Sequence, residues 1–153
     1  MTLTEIWEIS DVNGLIIALS DYVAEKCAYG DAMEALSAPE RVFYITQSLE
    51  MEVNNGGFSQ FFYNASGDFC GELISALTEI GALKTAEISR RALAAFGKEL
   101  PTDRDERCEM LDELESDEID AILEECDNAF YDYEDDLEAL NHAYVLKNKA
   151  SFA

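Results

Sequence analysis

The segment EVNNGGFSQFF, residues 52–62, is the most informative stretch for the fold. Asparagine and glycine tolerate a positive φ, so residues 54–57 are a natural place for a helix to stop. Phe58, Phe61 and Phe62 follow at spacings of three and four, which predicts an apolar helical face folded back on the core. The glycine pair is neither a GxGxxG motif nor a P-loop, because no strand precedes it and no Lys-Ser or Lys-Thr follows. We therefore interpret the segment as a structural turn rather than a ligand loop.

Apolar periodicity predicts that the rest of the chain is helical as well. The chain has 153 residues and only two prolines, and apolar residues recur at spacings of three and four nearly throughout. Ser37 and Glu40 have the spacing of a capping box, with Pro39 in the first turn, so a helix should begin there. Gly81 and Gly97 are expected to end two further helices. The expected helices cover residues 4–27, with an interruption at 13–14, and residues 37–53, 70–80 and 84–96.

The closing part of the chain has the most regular pattern. Its apolar residues alternate at steps of four and three, so one face of a single long helix would be buried: Ile119, Leu123, Cys126, Phe130, Tyr133, Leu137, Leu140 and Tyr144. No linker or internal repeat divides the chain. The sequence predicts an all-α, compact, single-domain multi-helix fold over residues 1–153 that ends in a long acidic helix.

The charge of the chain restricts its partners. Thirty-three Asp and Glu stand against ten Lys and Arg, a formal net charge of −23, while 48% of the residues are hydrophobic. Such a composition is that of a folded protein with a strongly acidic surface. Repulsion disfavours nucleic acid, anionic lipid and phosphate-rich ligands as direct partners and favours proteins with a basic face.

No membrane segment or export signal is expected from the sequence. No basic n-region precedes Trp7, and the longest apolar run, residues 15–19, is far too short to span a bilayer. The four cysteines are widely spaced and form no CxxC pair. We expect a cytoplasmic protein with free thiols and no contact with a membrane.

Catalytic and metal-binding motifs are also missing from the sequence. Residues 127–138 begin with Asp and end with Glu like an EF-hand loop, but Ala129 and Tyr131 occupy ligand positions and Asp132 stands where glycine is needed. The one histidine, His142, does not belong to a zinc-site pattern. No Cys or Ser stands in a recognisable nucleophile context. We expect no cofactor, no metal and no enzymatic activity.

The acidic residues are concentrated where cations are absent. No Lys or Arg occurs between Cys108 and Leu146. If residues 117–138 were one helix they would span roughly 33 Å with eleven carboxylates, about one per 3 Å, close to the roughly 3.4 Å spacing of charges on one DNA strand. Asp120, Glu124, Asp127, Glu134 and Glu138 would share one stripe of that helix. A purely solvating face is the alternative interpretation.

Three segments resemble a known family. MEVNNGGFSQFFYNASG, the following LISALTEIGALKTAEISRRALAAFG and the closing LDELESDEIDAILEECDNAFYDYEDDLEALNHAYVLKN look like a small bacterial domain family with an NNGGF motif, long of unknown function, whose best-known member is a DNA mimic. The resemblance runs from Pro39 to the end of the chain. It implies an all-α fold, dimerisation, and a carboxylate surface that imitates DNA phosphates and occupies the DNA-binding face of a helix-turn-helix transcription factor.

These observations predict a DNA mimic that competes with DNA for a basic protein, either a helix-turn-helix regulator or a nuclease. The candidate partner-binding residues are Asp112, Glu113, Glu115, Asp117, Glu118, Asp120, Glu124, Glu125, Asp127, Asp132, Glu134, Asp135, Asp136 and Glu138. Neutralising Glu124, Asp127, Glu134 and Glu138 together is expected to abolish binding and leave the fold intact. Two alternatives are an immunity-type inhibitor of a nuclease toxin and, with less support, a metal-dependent enzyme with paired carboxylates. The apolar face of the last segment fits either the core or a homodimer interface.

Overall fold

A computed structural model describes residues 1–153 and confirms the all-α class: it contains eight α-helices and no strand. The helices are α1 Leu3–Trp7, α2 Val12–Lys26, α3 Ala38–Tyr63, α4 Leu73–Glu79, α5 Leu83–Ala94, α6 Arg104–Leu114, α7 Asp117–Tyr131 and α8 Leu137–Lys147. Short 3-10 turns cover Ala28–Gly30, Met33–Ala35, Ala65–Glu72 and Lys149–Ser151. None of the helices is both long and apolar enough to cross a membrane.

Helix α3 lies at the centre and packs against α2, α4, α6, α7 and α8. Its start has the predicted capping box: Glu40 N–H donates to Ser37 Oγ at 3.3 Å, and Ser37 N–H donates to Glu40 Oε1 at 3.0 Å. Its phenylalanines at 58, 61 and 62 are fully buried and form the middle of the main core. The spacing of three and four therefore marked the core-facing side of this helix correctly.

The glycine pair bends α3 instead of ending it. Gly57 has φ 77° and ψ −179°, a conformation essentially restricted to glycine, and the helix resumes at once with Phe58. A Cβ on Gly57 would collide with the Asp127 carboxylate. The segment is thus the structural feature that was expected, but as a kink within one long helix and not as a helix stop.

Two other predicted boundaries are displaced. The first interruption lies between Trp7 and Val12, ahead of Asn13 and Gly14, because the Asp11 side chain accepts from Gly14 N–H at 2.7 Å and begins α2 there. The helix predicted over residues 70–80 starts as a 3-10 turn and is α-helical only from Leu73.

The prediction of one long C-terminal helix was wrong. Helix α7 ends at Tyr131, the chain turns through Tyr133 at φ 47°, and the Asp136 side chain caps α8. Helix α7 packs against α3 and α5, whereas α8 turns back onto α2 and α3. The stripe proposed for residues 120, 124, 127, 134 and 138 therefore does not exist as one helical face.

A buried arginine joins α6 to the end of α3. Arg107 has no exposed surface and donates to the carbonyls of Phe62 at 2.6 Å and Asn64 at 2.9 Å. It also pairs with Asp68 at 2.7 Å. Carbonyls in the last turn of a helix have no intrahelical partner, so Arg107 satisfies groups that would otherwise be buried unpaired.

Candidate acidic interface

The candidate carboxylates fall into two groups by exposure. Eleven of the fourteen are exposed, and three are half-buried: Asp127, Asp135 and Glu138. Each of the three accepts a hydrogen bond from a distant element, and no local sequence pattern could have indicated these partners. They stabilise the fold, so they are less available to a partner than the rest.

Asp127 and Tyr131 hold the kink of α3. Asp127 Oδ1 accepts from Phe58 N–H at 2.7 Å, and Tyr131 Oη donates to Val53 C=O at 2.8 Å. The two residues are four apart on one face of α7, so they reach the two sides of the kink together. Burial raises the pKa of Asp127 above its ordinary value, and the hydrogen bond from Phe58 offsets this only in part. The expectation that Asp127 could be neutralised without affecting the fold is not supported by this geometry.

Asp135 and Asp136 each cap a helix. Asp135 Oδ2 accepts from Thr85 N–H at 2.7 Å and Thr85 Oγ1 at 2.9 Å in the first turn of α5, where Ala82 has no side-chain cap of its own. Asp136 accepts from Ala139 N–H at 3.1 Å and begins α8. Both charges thus lie at the positive ends of helix dipoles.

Glu138 forms the third long-range hydrogen bond. Its carboxylate accepts from Asn13 Nδ2 at 2.7 Å and links the first turn of α8 to the first turn of α2.

Ten carboxylates remain fully available, and we call them the acidic surface. All ten are exposed, and they are carried by the end of α6, by α7 and by the connection to α8: Asp112, Glu113, Glu115, Asp117, Glu118, Asp120, Glu124, Glu125, Asp132 and Glu134. None belongs to any of the five ion pairs of the molecule. Their charges are therefore not balanced within the chain.

Part of this surface contributes to helix stability. Asp117, Glu118 and Asp120 occupy the first turn of α7, where negative charge interacts favourably with the helix dipole, and Ser116 caps the same turn. Glu124 and Glu125 lie beyond that turn and gain nothing from it. Local helix stability therefore accounts for the negative charges in the first turn of α7 but not for those of Glu124 and Glu125.

The charge density of α7 is comparable to that of a nucleic-acid strand. Its 15 residues span roughly 22 Å at about 1.5 Å per residue and carry five members of the acidic surface. This gives about one charge per 4–5 Å, against roughly 3.4 Å on one DNA strand. The density is lower than the value expected from a continuous acidic helix, because Asp127 is occupied by the kink and the candidate carboxylates from residue 132 onward lie outside α7.

Glu50 of α3 is an acidic neighbour that the sequence analysis missed. Tyr133 Oη donates to Glu50 Oε2 at 3.3 Å and accepts from Asn54 Nδ2 at 2.7 Å. Burial raises the pKa of Glu50, the hydrogen bond from Tyr133 lowers it, and the charges of Glu138 and Asp136 raise it further. The approach of residues more than eighty positions apart follows from the turn after α7, so no local pattern could have indicated it.

Other chemical groups do not form a comparable cluster. No three His, Cys, Asp or Glu side chains are grouped so that they could hold a metal ion. The Cys126 thiol is buried, and burial raises its pKa.

Comparison with known proteins identifies one family. The family model for DMP19-like proteins matches residues 34–148. The matched region begins just before α3 and ends just after α8, so it includes the kink and the whole acidic surface but not α1 or α2. No curated protein and no solved structure matches the chain.

Proposed function

The chain belongs to the DMP19-like family, and on this basis we propose that it is a DNA mimic whose acidic surface occupies the basic DNA-binding face of a protein partner. Family membership agrees with the resemblance to a DNA-mimic family described above. The observation that carries the proposal is the set of ten exposed carboxylates without one internal ion pair. Like charges on one helix repel, so a helix selected for stability alone would carry lysines among them.

The mechanism is competition for the same cations. Lys and Arg side chains that contact phosphates would contact the carboxylates of the acidic surface instead. Complementary charges accelerate association, and binding should weaken steeply as salt is added. A helix-turn-helix regulator is the partner class favoured by the resemblance, and we expect the complex to form without any cofactor.

The test is capture from bacterial lysate at low salt with two charge-matched variants as controls. One variant replaces four glutamates of the acidic surface by glutamine: Glu113, Glu118, Glu124 and Glu125. The other replaces four exposed glutamates elsewhere: Glu8, Glu25, Glu34 and Glu79. Both lose four negative charges. Wild type and the second variant should retain one DNA-binding protein that duplex DNA displaces, and the first variant should not.

Other outcomes would change the interpretation. Retention of a nuclease in a tight complex would favour the immunity-type inhibitor. Equal loss in both variants, or a mixture of ribosomal and other basic proteins, would mean that the charge serves solubility. Retention by the first variant at wild-type level would place the binding site outside the acidic surface.

A further inference from the structure

A cleft of about 180 Å³ opens between the second half of α3 and the α6–α7 pair. Its inner part is apolar and includes Phe62, Phe96 and Leu123, and its rim carries three members of the acidic surface, Asp112, Glu115 and Asp120. No basic residue lines it. Because a cavity of about 150 Å³ in another protein accepts benzene, this volume is sufficient for one planar group with a short hydrocarbon stem.

The chemistry of the cleft fits one kind of side chain. Three carboxylates with no cation of their own favour a positive group, and the apolar interior favours one that is weakly hydrated. Arginine meets both conditions, since its planar guanidinium binds carboxylates in a bidentate manner and is less strongly hydrated than the ammonium of lysine.

Tyr63 adds an aromatic face at the same place. Its side chain lines the cleft and is 46% exposed. Tyr63 and Asp112 line the same cleft, and the charge of Asp112 is the main cause that raises the pKa of the Tyr63 phenol. Cations are attracted to aromatic rings, so Tyr63 adds a second group at this cleft that favours a guanidinium.

We propose that this cleft binds an arginine side chain of the basic partner, with the stem on the apolar interior and the guanidinium between the rim carboxylates. The inference rests on the proposed function for the identity of the partner. It adds a specific anchor to an otherwise diffuse electrostatic surface, and arginine is among the residues that most often dominate binding energy at protein interfaces.

The test compares peptides of nine arginines and nine lysines by fluorescence anisotropy at fixed ionic strength. Wild type should bind the arginine peptide about tenfold more tightly, which corresponds to about 1.4 kcal/mol. Ser59 is exposed and lines the cleft, so Ser59→Trp should fill it without changing the charge. That variant should lose the arginine preference, while Ser75→Trp, at an exposed position of α4 outside the cleft, should keep it.

A second pair of variants tests the cleft independently, in case Ser59→Trp disturbs folding. Asp112 lines the cleft and Glu113 does not, although both are exposed on α6. Asp112→Asn should reduce the arginine preference several-fold more than Glu113→Gln. The inference is overturned if wild type binds both peptides equally, or if folded Ser59→Trp and Asp112→Asn keep the preference. The proposed function can fail separately. If the arginine preference is retained but duplex DNA does not displace the captured protein, the proposed function is rejected and the arginine-binding cleft is not.

Discussion

Asp127 is one of the carboxylates of the acidic helix α7, but its hydrogen bond is to the kink of α3. It accepts from Phe58 N–H, a group that the kink has removed from the regular helix. We predict that Asp127→Ala lowers the free energy of unfolding by about 1.5–3 kcal/mol, the range for hydrogen bonds to charged groups. Glu124→Ala removes the same charge one turn earlier, where the side chain is exposed, and should change it by less than about 0.5 kcal/mol. Urea denaturation measures both, and equal losses would contradict the role given to Asp127.

Gly57 shows what a residue pattern can and cannot reveal. The tolerance of glycine for positive φ correctly indicated an unusual backbone at residues 54–57. Whether the chain would then leave the helix or continue was decided by Asp127 and Tyr131, which satisfy the two sides of the kink from another helix. Those partners lie about seventy residues away, so the kink was not predictable from the segment itself.

At the scale of elements, the start of α5 depends on a side chain from the connection between α7 and α8. Asp135 caps the first turn of α5 through Thr85, and no residue adjacent to α5 does so. We predict that Asp135→Ala lowers the free energy of unfolding by about 1 kcal/mol, as removal of other helix caps does. Amide hydrogen exchange should accelerate first at residues 83–86, whereas Glu134→Ala, which removes an exposed neighbour, should leave these amides unchanged. Unchanged exchange in Asp135→Ala would show that α5 does not need this cap.

Helix boundaries that are marked by local sequence signals were predictable, and those that depend on tertiary packing were not. The capping box at Ser37 and the glycines after α4 and α5 gave approximate bounds for three helices. The break after Tyr131 was missed because Phe130, Tyr133 and Leu137 continue the apolar steps across it. Asp136 before Leu137 is an N-cap residue like Ser37, but the apolar periodicity runs through it without interruption. For the site, the sequence indicated the ten available carboxylates and could not separate them from those that hold the fold.

At the scale of the whole molecule, two sets of carboxyl groups have opposite pKa shifts. Burial raises the pKa values of Glu50 and Asp127. The hydrogen bond from Arg41 lowers the pKa of Glu72, and at Asp68 the hydrogen bonds from Arg104 and Arg107 outweigh the upward effect of burial. The first set binds protons more tightly in the folded state than in the unfolded state, and the second set binds them less tightly.

The stability of the protein should therefore be greatest in mildly acidic solution. As pH falls from 7, protonation of Glu50 and Asp127 favours the folded state, and repulsion from the net charge of −23 also decreases. Below the unfolded-state values of about 4, the stabilisation from Asp68 and Glu72 is lost. We predict a maximum of Tm near pH 5, measured by circular dichroism between about pH 3 and pH 8 at constant ionic strength.

High salt and one substitution can distinguish two contributions to the pH dependence of Tm: protonation of the buried carboxyls and general charge repulsion. In about 1 M salt the Debye length is only about 3 Å, so repulsion between exposed charges is screened, and the remaining rise of Tm toward pH 5 should come from the buried groups. Glu50→Gln should raise Tm at pH 7 and reduce that remaining rise, because the cost of ionising a half-buried carboxyl is removed. Glu124→Gln, at an exposed position, should leave the profile in high salt unchanged. A Tm that falls steadily from pH 7 to pH 5 would mean that the paired carboxylates outweigh the buried ones.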